Sequence, residues 1–281
     1  MKLPKHRLFD YNTPGPGIDK DAPPKKGLAL FWDILYRRFW KLVSVNLLYL
    51  LFSIPSLIIM YFACYATLTL LFSEYMLNDP TMAATVSQMA AYSAVLLFSL
   101  FGGGASTAGA TFVIKNYVVD THAWVWADFI RIYKKYFLKS TAVFVIDAVI
   151  LTLSGINFWF YGSFANNNII AYLLQGLMVL IFIIMLLMHA YIYPILISYK
   201  DKSVFEIYKS AFILALGKLP ITVASTAACV LISGLICFLA CFVTIYAMLL
   251  IPIVLLAFVI FVNLFITYPV TVKYLGKAKD E

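Results

Sequence analysis

LPITVASTAACVLISGLICFLACFVTIYAMLLIPIVLLAFVIFVNLFITYPVTV, residues 219–272, runs for 54 residues without an Asp, Glu, Lys or Arg. A helix that crosses a bilayer needs about 20 mostly apolar residues, so this run holds two spans joined by a tight turn. The turn is expected near 247–252. Pro220 and Pro252 then fall in first turns, where a missing N–H costs no hydrogen bond.

Working back towards the N-terminus, further apolar runs occupy 169–197, 142–161, 91–114 and 42–72. The first of the chain, 42–72, is long and contains Pro55, which predicts a tilted or kinked helix. The count is six spans. Composition agrees: 63% of the 281 residues are apolar and 12% are charged, far from the balance of a soluble domain.

The cations set the direction. Nine of the 21 lysines and arginines precede the first span, five lie between Lys115 and Lys139, four between Lys200 and Lys218, and three from Lys273 onward. The alternate connections, 74–88, 162–168 and 244–250, contain none. By the positive-inside rule both termini are expected on the cytoplasmic side. The net charge of +8 is therefore parcelled between apolar runs, not gathered on a soluble face, and nucleic acid is excluded as a partner. The polar, Pro- and Gly-containing residues 1–27 are expected to form a flexible cytoplasmic tail and 275–281 a second, with the membrane domain at 28–274.

Cys64, Cys229, Cys237 and Cys241 all sit inside apolar runs and are expected as free thiols without a metal or disulfide framework. No nucleophile–base–orienter set, HExxH or Walker pattern occurs, so a non-enzymatic protein without cofactor or metal is expected.

Between two apolar runs stands WADFIRIYKKYFLKS, residues 126–140. At helical spacing Trp126, Phe129, Ile130, Tyr133 and Phe137 share one side, while Asp128, Arg131, Lys135 and Lys139 share the other. This predicts an amphipathic helix at the inner headgroup layer, which orients the next span or docks a cytoplasmic partner. Ile132-Tyr133-Lys134 with Phe137 recurs as Ile207-Tyr208-Lys209 with Phe212, and YPILISY (193–199) recurs as YPVTVKY (268–274), both at an offset of 75. LYRRFW (35–40) is a weaker relative. Three parallel units are expected, about 28–118, 126–200 and 203–274, each an amphipathic entry helix, a span out and a span back. Arg131, Tyr133, Lys134, Lys135, Tyr208 and Lys209 are the candidate surface for lipid or for transporter or sensor subunits.

Asp147 and His189 are the ionisable residues expected inside spans, and such residues are functional candidates by default. Each lies a comparable depth from the inner end of its span, so the two side chains can meet; Asn46 and Asn263 are expected in the same layer. The layer is either a proton or solute relay or a polar clamp between packed helices, the clamp being the simpler reading. In GGGASTAGAT (102–111), Gly102, Ser106 and Ala110 form a small-residue stripe suited to close helix packing. No Lys-Ser/Thr ending makes it a phosphate loop.

NLLYLLFSIPSL (46–57), GASTAGATFVIKNY (104–117), DFIRIYKKYFLKS (128–140) and NFWFYGS (157–163) together resemble the YesL family of bacterial membrane proteins. The likeness covers roughly the first 165 residues; beyond them the match is mainly in hydrophobicity, and the long N-terminal tail departs from the family. The resemblance implies a six-span protein of the bacterial cytoplasmic membrane, associated with carbohydrate uptake, with no established reaction and no site residues to carry over. The expected function is a non-enzymatic accessory or regulatory component of such an uptake system; the alternative is a small-solute transporter or channel.

Overall fold

The computed structural model describes residues 27–73, 81–163, 168–242 and 245–276. The expected tails, apart from Gly27, Leu275 and Gly276, lie outside them, as do 74–80 and 164–167 of the 74–88 and 162–168 connections. Among the described residues the chain is all-helical, with nine helices and no strand. They are α1 (Gly27–Leu71), α2 (Thr81–Phe101), α3 (Ala105–Val118), α4 (Val125–Lys135), α5 (Phe137–Ser163), α6 (Ile169–Ser198), α7 (Val204–Gly217), α8 (Leu219–Phe242) and α9 (Ile245–Leu275). Five helices are long and apolar enough to cross a membrane, and a sixth crossing arises if the pair α7 and α8, bent by 102°, counts as one.

The apolar run at 219–272 divides between Phe242 and Ile245, earlier than the expected turn at 247–252. Pro220 does stand in the first turn of α8, whereas Pro252 falls beyond the first turn of α9. The first span and the LYRRFW segment form one uninterrupted 45-residue helix, α1.

The largest departure is in the second span. The run 91–114 is not one helix: it stops at Phe101, crosses Gly102–Gly104, and restarts at Ala105. Gly102 and Gly104 have φ of 79° and 74°, a left-handed conformation that side chains with a Cβ rarely adopt. The small-residue stripe is therefore corrected. Ser106 and Ala110 lie buried on α3, but Gly102 belongs to the break and not to their helix. Small size still matters there, because the break packs against neighbours on every side: a Cβ on Gly103 would stand 2.5 Å from the Phe98 ring.

Irregular backbone in apolar surroundings must satisfy its polar groups within the protein. Here α1 supplies much of what is needed. Ser56 Oγ donates to the Gly103 carbonyl at 3.0 Å, and Ser106 Oγ donates to the same oxygen at 3.2 Å. Gly103 N–H donates to Thr107 Oγ1 at 2.6 Å, which in turn shares a hydrogen bond with Tyr49 Oη at 3.1 Å. Gly104 N–H donates to Tyr193 Oη of α6 at 3.1 Å.

Pro194 raises the same problem in α6, because it cannot donate to the carbonyl four residues earlier. That carbonyl, Ala190, instead accepts from Asn263 Nδ2 of α9 at 3.0 Å and from Thr267 Oγ1 at 3.4 Å. Ser225 Oγ of α8 completes the asparagine by donating to its Oδ1 at 2.9 Å. Asn263→Leu leaves the Ala190 carbonyl with only the longer Thr267 bond and strands the Ser225 hydroxyl. It is expected to cost about 1–3 kcal/mol, measurable as a lowered melting temperature in detergent, while Asn263→Gln costs less.

Candidate functional site

The break between α2 and α3 lies against the N-terminal half of α5, at Ser140 and Phe144, and the C-terminal half of α6, at Tyr193. Asp147 sits ten residues into α5 and His189 nine residues before the end of α6, about 13–15 Å along each helix. Because the two helices are antiparallel neighbours, the side chains meet: His189 Nδ1 stands 3.5 Å from Asp147 Oδ2. Both residues are buried, at 5% and 1% exposure.

Their hydrogen bonding is incomplete. Asp147 Oδ1 accepts from Tyr208 Oη at 2.7 Å. Asp147 Oδ2 and the two nitrogens of His189 meet no well-aligned hydrogen-bond partner among the described residues, although the Phe101 backbone lies within reach of the imidazole. Buried polar atoms are rarely left in this state, since each costs about 1–3 kcal/mol of desolvation without return. The imidazole is held by shape: Phe101, the last residue of α2, and Tyr193 flank it with ring centroids 5.1 and 5.3 Å away.

A small cavity of about 50 Å³ opens beside the imidazole. Gly102, Thr107, His189, Tyr193 and Asn263 are among its lining residues. A larger cavity of about 320 Å³ lies elsewhere, between α1, α2, α5 and α6, and its lining, which includes Met60, Leu68, Leu97 and Phe158, is nearly all apolar. Of these two, the smaller brings His189 against the irregular backbone at Gly102.

The four residues expected in one polar layer therefore divide. Asp147 and His189 face each other, and Asn263 lines the same cavity as His189. Asn46 stands apart: its Oδ1 accepts from the Ala257 N–H at 2.8 Å and ties α1 to α9.

The basic and aromatic candidates divide as well. Tyr208 was expected on an outward surface; this is corrected, because its hydroxyl reaches Asp147 and its ring is partly buried. Tyr133 packs against Phe52 of α1 with centroids 4.9 Å apart and is also partly buried. Lys134, Lys135 and Lys209 are exposed, and Arg131 pairs with Asp128 at 2.7 Å while lying over the Phe112 ring. On α4 the buried residues are Phe129 and Ile132, while Trp126 of the expected apolar face is 62% exposed.

Sequence reasoning missed Tyr208, Tyr193, Tyr49 and Thr107 as parts of one polar constellation. Nothing local distinguishes these tyrosines from the other interfacial ones. The break did leave a signal, three consecutive glycines in an apolar run, which argue against a continuous helix as strongly as for close packing. Cys64 and Cys229 are free and buried, and the described residues hold no group of His, Cys, Asp and Glu with the makings of a metal site. Comparison with family models, with curated proteins and with solved structures finds no match.

Proposed function

We propose that this chain moves a small solute or protons across a membrane, using the Asp147–His189–Tyr208 cluster at the broken second span. One observation carries the reading: a buried acid and imidazole, incompletely hydrogen-bonded, beside a break in a spanning helix. Ionisable groups inside membranes mark ion and proton pathways far more often than they serve packing. Interrupted helices likewise form the binding sites of many transporters. The clamp reading explains Asn46 and Asn263 well, since each amide is hydrogen-bonded across helices, but it leaves Asp147 Oδ2 and the His189 imidazole poorly satisfied. The cavity is too small for a sugar, so a carbohydrate is not the solute held in this conformation.

The setting we infer is the bacterial cytoplasmic membrane, with six crossings and both termini inside, supported by the segregation of all 21 lysines and arginines to alternate connections. We also infer three parallel units with amphipathic entry helices. Two contacts support this. Tyr133 lies against the outgoing span of the first unit at Phe52, and Tyr208 reaches the outgoing span of the second at Asp147.

The test is proton flux into proteoliposomes loaded with a pH-sensitive dye, driven by a potassium diffusion potential. Wild-type protein is expected to acidify the lumen faster than empty liposomes do, and Asp147→Asn to remove most of that excess. Flux equal to that of empty liposomes, with neither protons nor small ions carried, would remove the transport reading.

A second reading is an accessory or regulatory component of a carbohydrate uptake system, in keeping with the resemblance to the YesL family. The observation favouring it is the exposure of aromatic and basic residues on the entry segments, where Trp32, Tyr36, Trp40, Trp124 and Trp126 are each more than 60% exposed and Lys134 and Lys135 are exposed as well. Co-purification of uptake-system subunits that is lost on neutralising Arg131, Lys134 and Lys135 would select it.

A further inference from the structure

We propose that the larger cavity, between α1, α2, α5 and α6, is a binding site for a single lipid acyl chain. The inference stands apart from the transport reading and uses none of its residues.

The place of the cavity selects a ligand from the bilayer. Its walls come from four of the helices long and apolar enough to cross a membrane. On α1 the lining runs from Met60 to Leu71 and on α5 from Ala148 to Phe158, about 15–17 Å of each helix. That is half of the hydrocarbon core of about 30 Å, the depth that the acyl chains of one leaflet occupy. On the inferred topology both stretches belong to the outer leaflet, since each leads towards a connection without Lys or Arg.

The chemistry of the lining narrows the choice. It is nearly all apolar, and two of its hydroxyls are spent within their own helices. Thr67 Oγ1 donates to the Ala63 carbonyl at 2.9 Å, and Thr152 Oγ1 donates to the Ala148 carbonyl at 2.8 Å. A held water needs two to four polar partners, and a polar solute needs several placed groups, so neither is suited to this space. The volume of about 320 Å³ is about twice that of an apolar cavity of about 150 Å³ that admits benzene. A stretch of about a dozen carbons therefore fits, and over the length of one leaflet it fits as an extended chain. Left empty, the walls forfeit their dispersion contacts on one side; a chain from the surrounding lipid restores them.

The way in is apolar as well. Leu71, Phe158 and Val179 are the most exposed lining residues, at 38%, 43% and 43%, and at spanning depth their outward faces meet lipid. The interior is closed off at Met60 and Cys64, which are only 2% and 8% exposed. The wall between α1 and α5 is tight, because a Cβ on Gly155 would stand 2.9 Å from Thr67 Cγ2.

The experiment uses the full chain in liposomes that contain a phosphatidylcholine with a diazirine midway along one acyl chain. Light converts the diazirine to a carbene, and its insertion sites are mapped to residues by mass spectrometry. Val149 and Leu153, 50% and 53% exposed on α5 at the same depth but outside the lining, report contact with bulk lipid. Met60 and Cys64 report the interior. Insertion at Met60 and Cys64 is expected to match or exceed that at Val149 and Leu153. Ala63→Phe fills the cavity from α1 and is expected to lower interior insertion about tenfold while the outer residues keep theirs. If that variant does not fold, Ser93→Phe fills the cavity from α2 in its place, and if neither folds the wild-type ratio decides. Wild-type insertion confined to Val149 and Leu153 would overturn the site, as would interior insertion that a folded filling variant leaves unchanged.

Discussion

Asp147→Leu is expected to lower the unfolding free energy by about 3–5 kcal/mol, the usual cost of removing one partner from a buried charged or polar pair. The loss has two parts. Tyr208 Oη gives up its acceptor at 2.7 Å, and His189 Nδ1 is left facing apolar carbon. Asp147→Asn keeps an oxygen for Tyr208 and should cost only about 1–2 kcal/mol. Replacing the whole cluster, as Asp147→Leu, His189→Leu and Tyr208→Phe together, should recover most of the loss, because apolar side chains of similar size remove the need for pairing. Equilibrium unfolding in mixed micelles separates these cases. If the triple variant matches wild-type stability and carries no protons, the cluster is retained for transport at the expense of stability. If Asp147→Leu alone is as stable as wild type, the three residues do not interact as described.

The second large effect is expected at the break. Gly104→Val places a β-branched residue at a φ of 74°, which costs about 1–2 kcal/mol in backbone strain for any L-residue and more for a branched one. Its Cβ would stand 3.2 Å from the Ser140 carbonyl oxygen and 3.3 Å from Phe144 Cβ, so backbone of α5 must move, adding about 1–3 kcal/mol. The sum, about 2–5 kcal/mol, is enough to lose the folded protein in detergent at ordinary temperature. Gly176→Ala is the control. It lies inside α6, where an added Cβ meets nothing within 4 Å, and is expected to stabilise by about 0.5–1 kcal/mol. A melting temperature for Gly104→Val within a degree of wild type would mean that the break relaxes into a continuous helix.

That contrast between two glycines marks where sequence stops being sufficient. Gly176 sits inside a run that is helical by hydropathy, and the run is a helix, 169–198. Gly104 sits inside a run equally apolar, and the helix fails there. The difference is made by neighbours: Ser56 of α1 takes up the Gly103 carbonyl and Tyr193 of α6 takes up the Gly104 N–H, so leaving the helix costs little at this point. Tyr208 teaches the same lesson. Beside Lys209 it has the pattern of an interfacial residue, and only a side chain 61 positions earlier turns it inward.

What the sequence by itself determined is the helical class, the apolar segments long enough to cross a bilayer and the alternation of basic connections. Hydropathy and charge act over about 20 neighbouring residues, and those are adjacent in the chain. Only the tertiary structure decided where the second span breaks, that Asp147, His189 and Tyr208 form one cluster while Asn46 belongs to another, and that a small cavity lies beside His189 and Gly102. These depend on which polar atoms come within about 3 Å of one another across helices, and inside a membrane every such atom must find its partner in another part of the chain.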